Sequence, residues 1–529
     1  MRARGETARA ALIALGLGLA LVLLGPPPGD LPAHLYRTEL VRDGIVVWDT
    51  FWYAGHYPLI SYSLLYYFPA ALVGNDLVAL VSVVAAAALF ASLAGREWGE
   101  AARWPSRLFA VVACGPLFTG TYPYAAGFAT GLGALKALQL RRPWLAAGLA
   151  VLTLGLSPLA FLFLCLAAVA AFVGRRRHFD RTAVGVGSVL VGLGLLQGAL
   201  LLVYPAEAEY PFFRLDELLA VIVLSALCAA LALRAERGRS LAALFVLWAL
   251  ATAAAFVIPS PIGENVTRLR GIVLPLALLA AALATYRPRW LAGLAVASAL
   301  AYTLVPYVGA ALHRGDTRSA EQTFWEPALD FLAERRSPDF RVEVVPTGDH
   351  WEAYRLPRAG FPLARGWYRQ LDIAQNPLFY EEPLEPEAYR AWLEGMGVRW
   401  VLLPHTQLGR IGEEREAELL RSGRAGLEEV GVAGDVTVYE VPDPTPILTG
   451  PGEAHLTALR HDRVEGEVDA PGTYRLAVRW TPTWRVRSGA VCVEEAADGM
   501  TSVVADAPTA FVLGVSALPQ APGCDEARG

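Results

Sequence analysis

Charged residues are scarce in this chain, and lysine is almost absent from it. Only 18% of the 529 residues are charged, whereas soluble globular domains carry about a quarter. This deficit excludes an ordinary soluble enzyme. The 45 basic and 50 acidic residues lack the basic excess of a nucleic-acid-binding protein, so no nucleic-acid partner is expected. Lys136 is the single lysine, which excludes a Walker-type phosphate loop elsewhere.

Common catalytic and metal-binding motifs are also missing. The sequence contains no HExxH, paired CxxC or GxSxG pattern, so metalloprotease, zinc-finger and lipase functions have no support. It has five cysteines, three of them within apolar runs. The other two, Cys492 and Cys524, lie near the C-terminus. They can pair if that region is outside the cell, although spacing alone does not establish disulfide geometry.

Apolar residues make up 55% of the chain, yet its mean hydropathy is only +0.39, so they must be concentrated in one part. Residues 1–311 alternate apolar runs with short arginine clusters, which predicts a polytopic α-helical membrane domain. We expect eleven spans, at about 10–25, 77–95, 108–125, 126–140, 145–156, 158–174, 182–203, 217–233, 240–258, 269–286 and 290–311.

The arginines also predict the topology. Seventeen lie in the segments expected inside and only five in the outer loops between spans. By the positive-inside rule the N-terminus is cytoplasmic, and eleven crossings place everything after residue 311 outside. We therefore expect a multi-pass protein of a bacterial plasma membrane, with an uncleaved first span. The short spans joined at Ser157 and Pro158 are expected to be two short helices or a re-entrant hairpin.

The remainder of the chain has a soluble composition. Helices near 325–336, 385–394 and 413–421 alternate with strands near 341–345, 398–403 and 435–441, which predicts an extracytoplasmic α/β domain over 312–443. A proline-rich linker follows. Period-two alternation over 474–480, with similar runs at 489–494 and 509–516, predicts a small β-sandwich over 448–520.

The first outer loop has the highest density of polar and aromatic residues in the membrane half. If 31–43 is helical, Asp30 and His34 lie one turn apart and face the same way. A carboxylate beside an imidazole can accept a proton from a sugar hydroxyl or hold a divalent ion. Alternatively, Asp30 is only the N-cap of that helix, with Pro32 in its first turn.

The same loop resembles a known family. An acidic residue after the first span, an amphipathic stretch, Gly44, Trp48, the run Gly55-His56-Tyr57-Pro58 and then Tyr66-Tyr67-Phe68-Pro69 look like bacterial YfhO-like integral membrane proteins. These belong to the GT-C superfamily of glycosyltransferases, which use polyprenyl-phosphate-linked sugars. In the tail, the strands 398–403 and 436–441 and the run Trp480-Thr481-Pro482-Thr483-Trp484 are similar to that family's β-domain.

The resemblance implies inverting transfer of a sugar from a polyprenyl-phosphate donor to a glycan or lipid acceptor of the cell envelope, at the outer face of the bilayer. Asp30 matches the catalytic base, His34 stands beside it, and His56 and Tyr57 are expected to bind substrate. No cofactor is implied with certainty beyond the donor, and no metal ligands are assigned. Ser157-Pro158 departs from the family's His-Pro corner. The alternative function is a non-enzymatic transporter or assembly factor for envelope polysaccharide.

Three further sets of residues each fit two different roles. Asn265, Arg268 and Arg270 precede the tenth span, where the arginines can bind a lipid phosphate or act as interfacial anchors. Glu207, Glu209, Asp216 and Glu217 form an acidic group that can hold a metal or be a solvated loop. The aromatic stretch around Asp349, His350 and Trp351 suits sugar stacking or a contact between domains.

Overall fold

A computed structural model describes residues 2–60, 62–174, 181–205, 210, 212–312, 318–409, 412–519 and 524. Within them the chain forms nineteen α-helices, which are listed here in chain order. They are α1 Arg2–Leu24, α2 Leu31–Arg42, α3 Tyr67–Val73, α4 Asn75–Trp98, α5 Arg103–Val112, α6 Gly115–Thr119, α7 Tyr122–Gln139, α8 Pro143–Leu156, α9 Pro158–Gly174, α10 Arg181–Val203, α11 Leu215–Ala232, α12 Arg239–Val257, α13 Arg270–Leu283, α14 Arg289–Leu312, α15 Gln322–Glu334, α16 Glu352–Arg358, α17 Arg369–Gln375, α18 Pro386–Met396 and α19 Glu413–Arg421.

Short 3₁₀ turns occupy Gly99–Ala102, Glu236–Gly238, Gly263–Leu269, Arg318–Ala320 and Pro377–Phe379. The twelve strands of the described residues all lie after residue 340. They are β1 Arg341–Val344, β2 Val398–Pro404, β3 Glu428–Ala433, β4 Val436–Glu440, β5 Leu448–Thr449, β6 Ala454–Arg460, β7 Arg463–Val468, β8 Gly472–Arg479, β9 Trp484–Ser488, β10 Val491–Glu495, β11 Met500–Ala505 and β12 Thr509–Val515.

The chain divides into two compact units, each built from two stretches of sequence. The helical unit comprises Met1–Gly29 and Ser61–His313, and the polar unit comprises Asp30–Ile60 and Arg314–Gly529. The first predicted outer loop, Asp30–Ile60, therefore belongs to the polar unit. The sequence pattern instead groups this loop with the spans of the region 1–311. The predicted ranges 312–443 and 448–520 lie inside the polar unit except for residues 312 and 313, which belong to the helical unit.

The helical unit contains seven helical segments within the described residues that are long and apolar enough to cross a membrane. They are Gly5–Leu24, Asn75–Thr119, Val184–Val203, Leu215–Ala232, Glu236–Val257, Gly263–Leu283 and Arg289–Gly309. This is compatible with a membrane protein. The eleven-span count stays a prediction, because α8 and α9 are apolar but have only 14 and 17 residues.

The corner at Ser157 joins two separate short helices. Ser157 is extended, with φ of −161° and ψ of 112°, so it ends α8, and Pro158 begins α9. The Ser157 hydroxyl accepts a hydrogen bond from the Ala160 backbone N–H at 3.3 Å, which caps α9. A side chain at Gly127 of α7 would collide with Ser157, so this glycine permits α7 to pack against the corner. Two short helices joined at this corner fit both predicted arrangements, the pair of short helices and the re-entrant hairpin.

The polar unit contains the predicted mixed α/β region. Its sheet has the order β1-β2-β4-β3, in which β1 and β2 are parallel and the other pairs antiparallel. The apolar strand β2 is buried along nearly its whole length because it lies inside this sheet. The predicted order of helices and strands is confirmed, and α19 coincides with the predicted helix 413–421.

The C-terminal region forms two four-stranded antiparallel sheets, with the orders β10-β11-β8-β5 and β6-β7-β12-β9. Strand β8 buries Tyr474, Leu476 and Val478, as the period-two pattern predicted. Cys492 on β10 forms a disulfide with Cys524, with the two Cα atoms 5.3 Å apart. The proposed cysteine pair is therefore present, and the tail is rich in β-structure as expected.

The segment Asp30–Ile60 is bonded into the polar unit through its backbone. Thr50 N–H donates to His461 O at 2.8 Å, Phe51 O accepts from Leu363 N–H at 2.8 Å, and Ala54 O accepts from Arg479 N–H at 2.8 Å. The Trp52 indole N–H donates to Ala353 O at 2.9 Å. These bonds reach residues 300 to 425 positions further along the chain, so the segment is an integral part of the unit's core.

Candidate functional site

Helix α2 carries the predicted catalytic pair. Asp30 occupies the N-cap position, Pro32 lies in the first turn, and His34 N–H donates to Asp30 O at 3.3 Å. The helix and the one-turn spacing are therefore as predicted. The Asp30 carboxylate makes no capping hydrogen bond, which weakens the explanation of this residue as a simple cap. Asp30 is half-buried, whereas His34 is buried with 2% exposure.

The turn after α2 has a strained backbone. Tyr53 and Ala54 both have φ of +58°, the left-handed region that non-glycine residues rarely adopt, and Gly55 has φ of +136°. A side chain at Gly55 would overlap the Trp48 ring. Arg479 Nε donates to Tyr53 O at 2.9 Å and so helps to hold the turn. Such strain requires a surrounding structure that determines the conformation, and it is often found at functional sites.

This turn places the Asp49 carboxylate in the interior of the polar unit. Asp49 has 0% exposure. Its Oδ1 lies 2.9 Å from His461 Nδ1 and accepts from Phe51 N–H at 3.1 Å, and its Oδ2 accepts from the Tyr36 hydroxyl at 2.7 Å. We call Asp49, His461 and Tyr36 the Asp49 cluster. Burial alone would raise the pKa of Asp49, but the hydrogen bond and charge of His461 outweigh it and the pKa is lowered.

The other two members of the cluster have fixed roles beside this carboxylate. Burial and the adjacent Asp49 raise the pKa of Tyr36 well above its usual value, so Tyr36 stays a neutral phenol and donates its proton in the hydrogen bond. An ionised carboxylate can only accept a hydrogen bond, so Nδ1 of His461 carries a proton. The Phe51 ring packs against the imidazole with centroids 4.0 Å apart.

His56 and Tyr57, the predicted substrate-binding residues, are also buried in the polar unit. His56 Nδ1 is 3.6 Å from Asp49 Oδ2, and neither ring nitrogen has a hydrogen bond among the described residues. Burial lowers the pKa of His56 to about 4, so the ring is neutral at pH 7. The Tyr57 hydroxyl is 2.7 Å from Thr481 Oγ1. Burial leaves neither side chain able to touch a substrate in this conformation.

A polar pocket of about 300 Å³ opens beside the Asp49 cluster. Tyr36 and His461 line it together with residues of α2, its C-terminus and the end of α16, including Glu39, Arg42, Asp43 and Arg358. Glu39 Oε1 accepts from the Tyr354 hydroxyl at 2.9 Å and lies 3.5 Å from Arg358 Nε. The polar pocket thus combines an oriented imidazole with carboxylate and guanidinium groups. Such groups can bind and deprotonate a hydroxyl-bearing ligand.

The predicted phosphate-binding arginines lie in the helical unit. Arg270 begins α13, and its Nη1 donates to the buried Glu217 Oε1 at 2.8 Å. The same oxygen accepts from the Tyr302 hydroxyl at 2.6 Å. Arg270 is therefore already neutralised by an acid, which weakens its attraction for a phosphate. Arg268 and Asn265 are half-buried in the 3₁₀ turn Gly263–Leu269.

Only two of the four residues in the predicted acidic group, Asp216 and Glu217, belong to the described residues. Glu207 and Glu209 lie outside the described residues. Asp216 is exposed and pairs with Arg214 at 2.7 Å, whereas Glu217 is buried in the first turn of α11. No group of three or more His, Cys, Asp or Glu suited to a metal ion occurs in the part of the chain that is described.

The aromatic stretch around His350 packs inside the polar unit. His350 stacks on Trp367 with centroids 3.4 Å apart, and Trp351 and Tyr354 are each 5% exposed. His350 Nδ1 lies 3.3 Å from Glu352 Oε1. Because these rings are covered by other side chains, the stretch contributes to the hydrophobic core rather than to an open sugar-stacking surface.

A second buried network of charges surrounds Arg365. Its guanidinium contacts Glu343 and Glu416, and it lies 3.8 Å from Asp372 Oδ2. Burial raises the pKa of each of these three carboxyls, and the negative neighbours add to the effect. One guanidinium cannot neutralise three carboxylates in a low-dielectric interior, so the surroundings favour the protonated form of these carboxyls.

Sequence reasoning placed Asp49 within the polar loop but assigned it no role, and it did not identify His461. The sequence feature that could have identified Asp49 is its position as a carboxylate between Trp48 and the Gly55-His56 turn. No local pattern marked His461, which lies in the β6–β7 turn. In comparisons with protein-family models and with curated proteins, the chain matches none.

Proposed function

We propose that the chain is a membrane glycosyltransferase that transfers a sugar from a polyprenyl-phosphate donor to a cell-envelope acceptor. The observation that carries the proposal is the placement of Asp30. It immediately precedes α2 on the polar unit, with His34 one turn later, and its carboxylate does not cap the helix. A carboxylate in this position is suited to accept the proton of an acceptor hydroxyl.

The helical unit supports the lipid part of this proposal. Its apolar helices leave a cavity of about 420 Å³ lined mainly by apolar side chains, such as Phe90, Phe128, Leu164, Leu190 and Leu276. A cavity of this character suits part of an isoprenoid chain. Arg268 and Arg270 at the start of α13 remain the proposed contacts for the donor phosphate. Arg270 would have to exchange its bond to Glu217 for that contact.

The proposal includes the full topology, with eleven spans, a cytoplasmic N-terminus and an extracytoplasmic polar unit in a bacterial plasma membrane. The Cys492–Cys524 disulfide supports an oxidising compartment for the tail. Reporter fusions at the C-terminus provide the test. A periplasm-dependent reporter is expected to be active and a cytoplasm-dependent one silent, and the reverse result would contradict both the topology and the outer-face reaction.

The enzymatic test uses the full chain in nanodiscs with radiolabelled polyprenyl-phosphate-sugar donors and membrane glycans as acceptors. Asp30→Asn preserves the shape of the side chain but removes its charge. We expect normal expression with transfer reduced about 10²-fold or more, whereas Asp330→Asn, an exposed acid on α15, serves as the matched control with unchanged transfer. Full transfer by both Asp30→Asn and His34→Ala would exclude this pair from catalysis.

One observation favours the alternative, a transporter or assembly factor. Glu217 is a buried acid in the first turn of a candidate span, paired with Arg270 and Tyr302. Ionisable residues within spans often mark transport pathways. Glycan export without covalent transfer, lost in Glu217→Gln, would establish this alternative over glycosyl transfer.

A further inference from the structure

The polar pocket and the Asp49 cluster form a site that is separate from the predicted Asp30 pair. Three distant parts of the polar unit build it: α2 with its C-terminus, the end of α16, and the turn between β6 and β7 that carries His461. At about 300 Å³ the pocket has the size of the smaller ligand sites of proteins. It can hold a ligand of roughly one sugar residue.

The imidazole of His461 has a fixed position at the wall of the pocket. Asp49 Oδ1 is bonded to Nδ1 at 2.9 Å and Phe51 packs against the ring, so the ring has little freedom to turn. His461 retains 22% side-chain exposure and lines the pocket, while Asp49 behind it has none. A histidine held in this way is suited to contact a ligand without a large loss of side-chain freedom.

The charges around the pocket indicate what kind of ligand fits. Two carboxylates, Glu39 and Asp43, are balanced by two guanidiniums, Arg42 and Arg358. Equal numbers of opposite charges give no net attraction for an anion or a cation. They do present many hydrogen-bond donors and acceptors within a small volume. A neutral ligand with several hydroxyl groups satisfies both conditions, whereas a phosphate would need an excess of basic groups.

We propose that this pocket binds a sugar residue of the glycan acceptor. Glu39 and Arg358 supply hydrogen-bond acceptors and donors for its hydroxyl groups, and His461 forms part of the pocket wall. The assignment of this sugar to the acceptor rests on the proposed function, and sugar binding does not. Asp30 remains the proposed base.

Sugar binding is tested first, without any transfer reaction. Saturation-transfer NMR of the full chain in detergent is recorded with methyl glycosides of glucose, galactose, mannose and N-acetylglucosamine. We expect at least one to bind and the Glu39→Gln and Arg358→Ala variants to weaken it about tenfold or more. His455→Gln, an exposed histidine on β6 of the same unit, is the matched control and should bind as the unaltered chain does. Absence of binding, or binding unchanged in both pocket variants, would overturn the sugar site.

The results separate this inference from the proposed function. If the unaltered chain binds sugars in the pocket but transfers none from any lipid-phosphate donor, the glycosyltransferase proposal fails and the sugar site stands. If transfer occurs but is unchanged in Glu39→Gln and Arg358→Ala, the function stands and the assignment of the pocket to the acceptor fails.

Discussion

The two units bury the same combination of groups with different consequences. In the helical unit, Glu217 Oε1 accepts from Arg270 at 2.8 Å and from Tyr302 at 2.6 Å. In the polar unit, Asp49 is bonded to His461 at 2.9 Å and to Tyr36 at 2.7 Å. Each carboxylate thus lies between a tyrosine hydroxyl and a basic side chain.

The basic side chain makes the difference. The guanidinium of Arg270 is paired with Glu217, and this pair links α11, α13 and, through Tyr302, α14. The imidazole of His461 instead borders a pocket. The first cluster is therefore suited to holding helices together and the second to contacting a ligand.

The largest expected effect on stability comes from removing either carboxylate. Asp49→Ala deprives His461 Nδ1 and the Tyr36 hydroxyl of their acceptor, and Glu217→Ala leaves the Arg270 charge without its counter-ion. Each substitution should lower the free energy of unfolding by about 3 to 5 kcal/mol. Thermal melting in detergent, followed by tryptophan fluorescence, measures this effect. Asp330→Ala, at an exposed acid, should stay within about 0.5 kcal/mol, and equal melting of all three variants would refute the comparison.

The disulfide should contribute nearly as much, and only to the polar unit. Cys492 and Cys524 enclose a loop of 32 residues, for which chain entropy predicts about 3 to 4 kcal/mol. A reductant should therefore lower the melting temperature of the polar unit in the unaltered chain. The Cys492→Ser/Cys524→Ser double variant should melt lower from the start and show no further response. A reductant effect of the same size in that double variant would point to another cause.

Arg268 and Arg270 should have an intermediate effect, which appears in donor binding. Loss of a charge-assisted contact costs about 1.5 to 3 kcal/mol, or roughly tenfold to a hundredfold in donor affinity. Lysine at either position should rescue binding only in part, because it lacks the planar guanidinium. If the arginines are interfacial anchors, lysine will replace them fully.

Donor titrations of the Ala and Lys variants distinguish these outcomes. Arg234→Ala, an exposed arginine just beyond the other end of α11, is the matched control and should bind donor normally. Unchanged donor affinity in both Arg268→Ala and Arg270→Ala would assign these residues to anchoring, and the phosphate would need another partner.

The smallest effect concerns the pH dependence of the Arg365 network. Burial raises the pKa of Glu343 well above 4.5, so the folded protein holds a proton that the unfolded chain releases above that pH. The stabilisation that this bound proton provides is complete below pH 4.5 and is lost as pH rises toward the folded-state pKa of Glu343. Over that range the free energy of unfolding falls by at most about 1.4 kcal/mol per pH unit. Glu343→Gln should flatten this part of the stability curve. An identical curve in that variant would exclude Glu343 as the group responsible.

Local pattern was sufficient for part of the secondary structure of both units. The period-two alternation of β8 and the helix 413–421 were read correctly because each depends on neighbouring residues. The helix after Asp30 was also predicted, from its cap position and proline. Six strands were not predicted, because their sequences follow neither pattern strongly: β3, β5, β6, β7, β9 and β11.

The partners in the candidate site could not be predicted in this way. Asp49 and His461 are 412 residues apart, and Tyr57 and Thr481 are 424 apart. A single sequence carries no record of such pairs, since many chain paths would satisfy the same local patterns. The sequence pointed to Asp30 because its spacing to His34 fits one helical turn, and that spacing is correct.

Composition by itself determined that one half of this protein consists of apolar helices and the other of polar α/β and β structure, because burial preferences act residue by residue. Only the tertiary structure decided that Asp30–Ile60 folds with the polar half, and that Asp49 rather than another acid of this segment is fully buried beside a histidine. The physical reason is that burial and hydrogen-bond partners arise from contacts between distant segments, and these contacts decide whether a carboxylate stays solvated, joins an ion pair or orients a base.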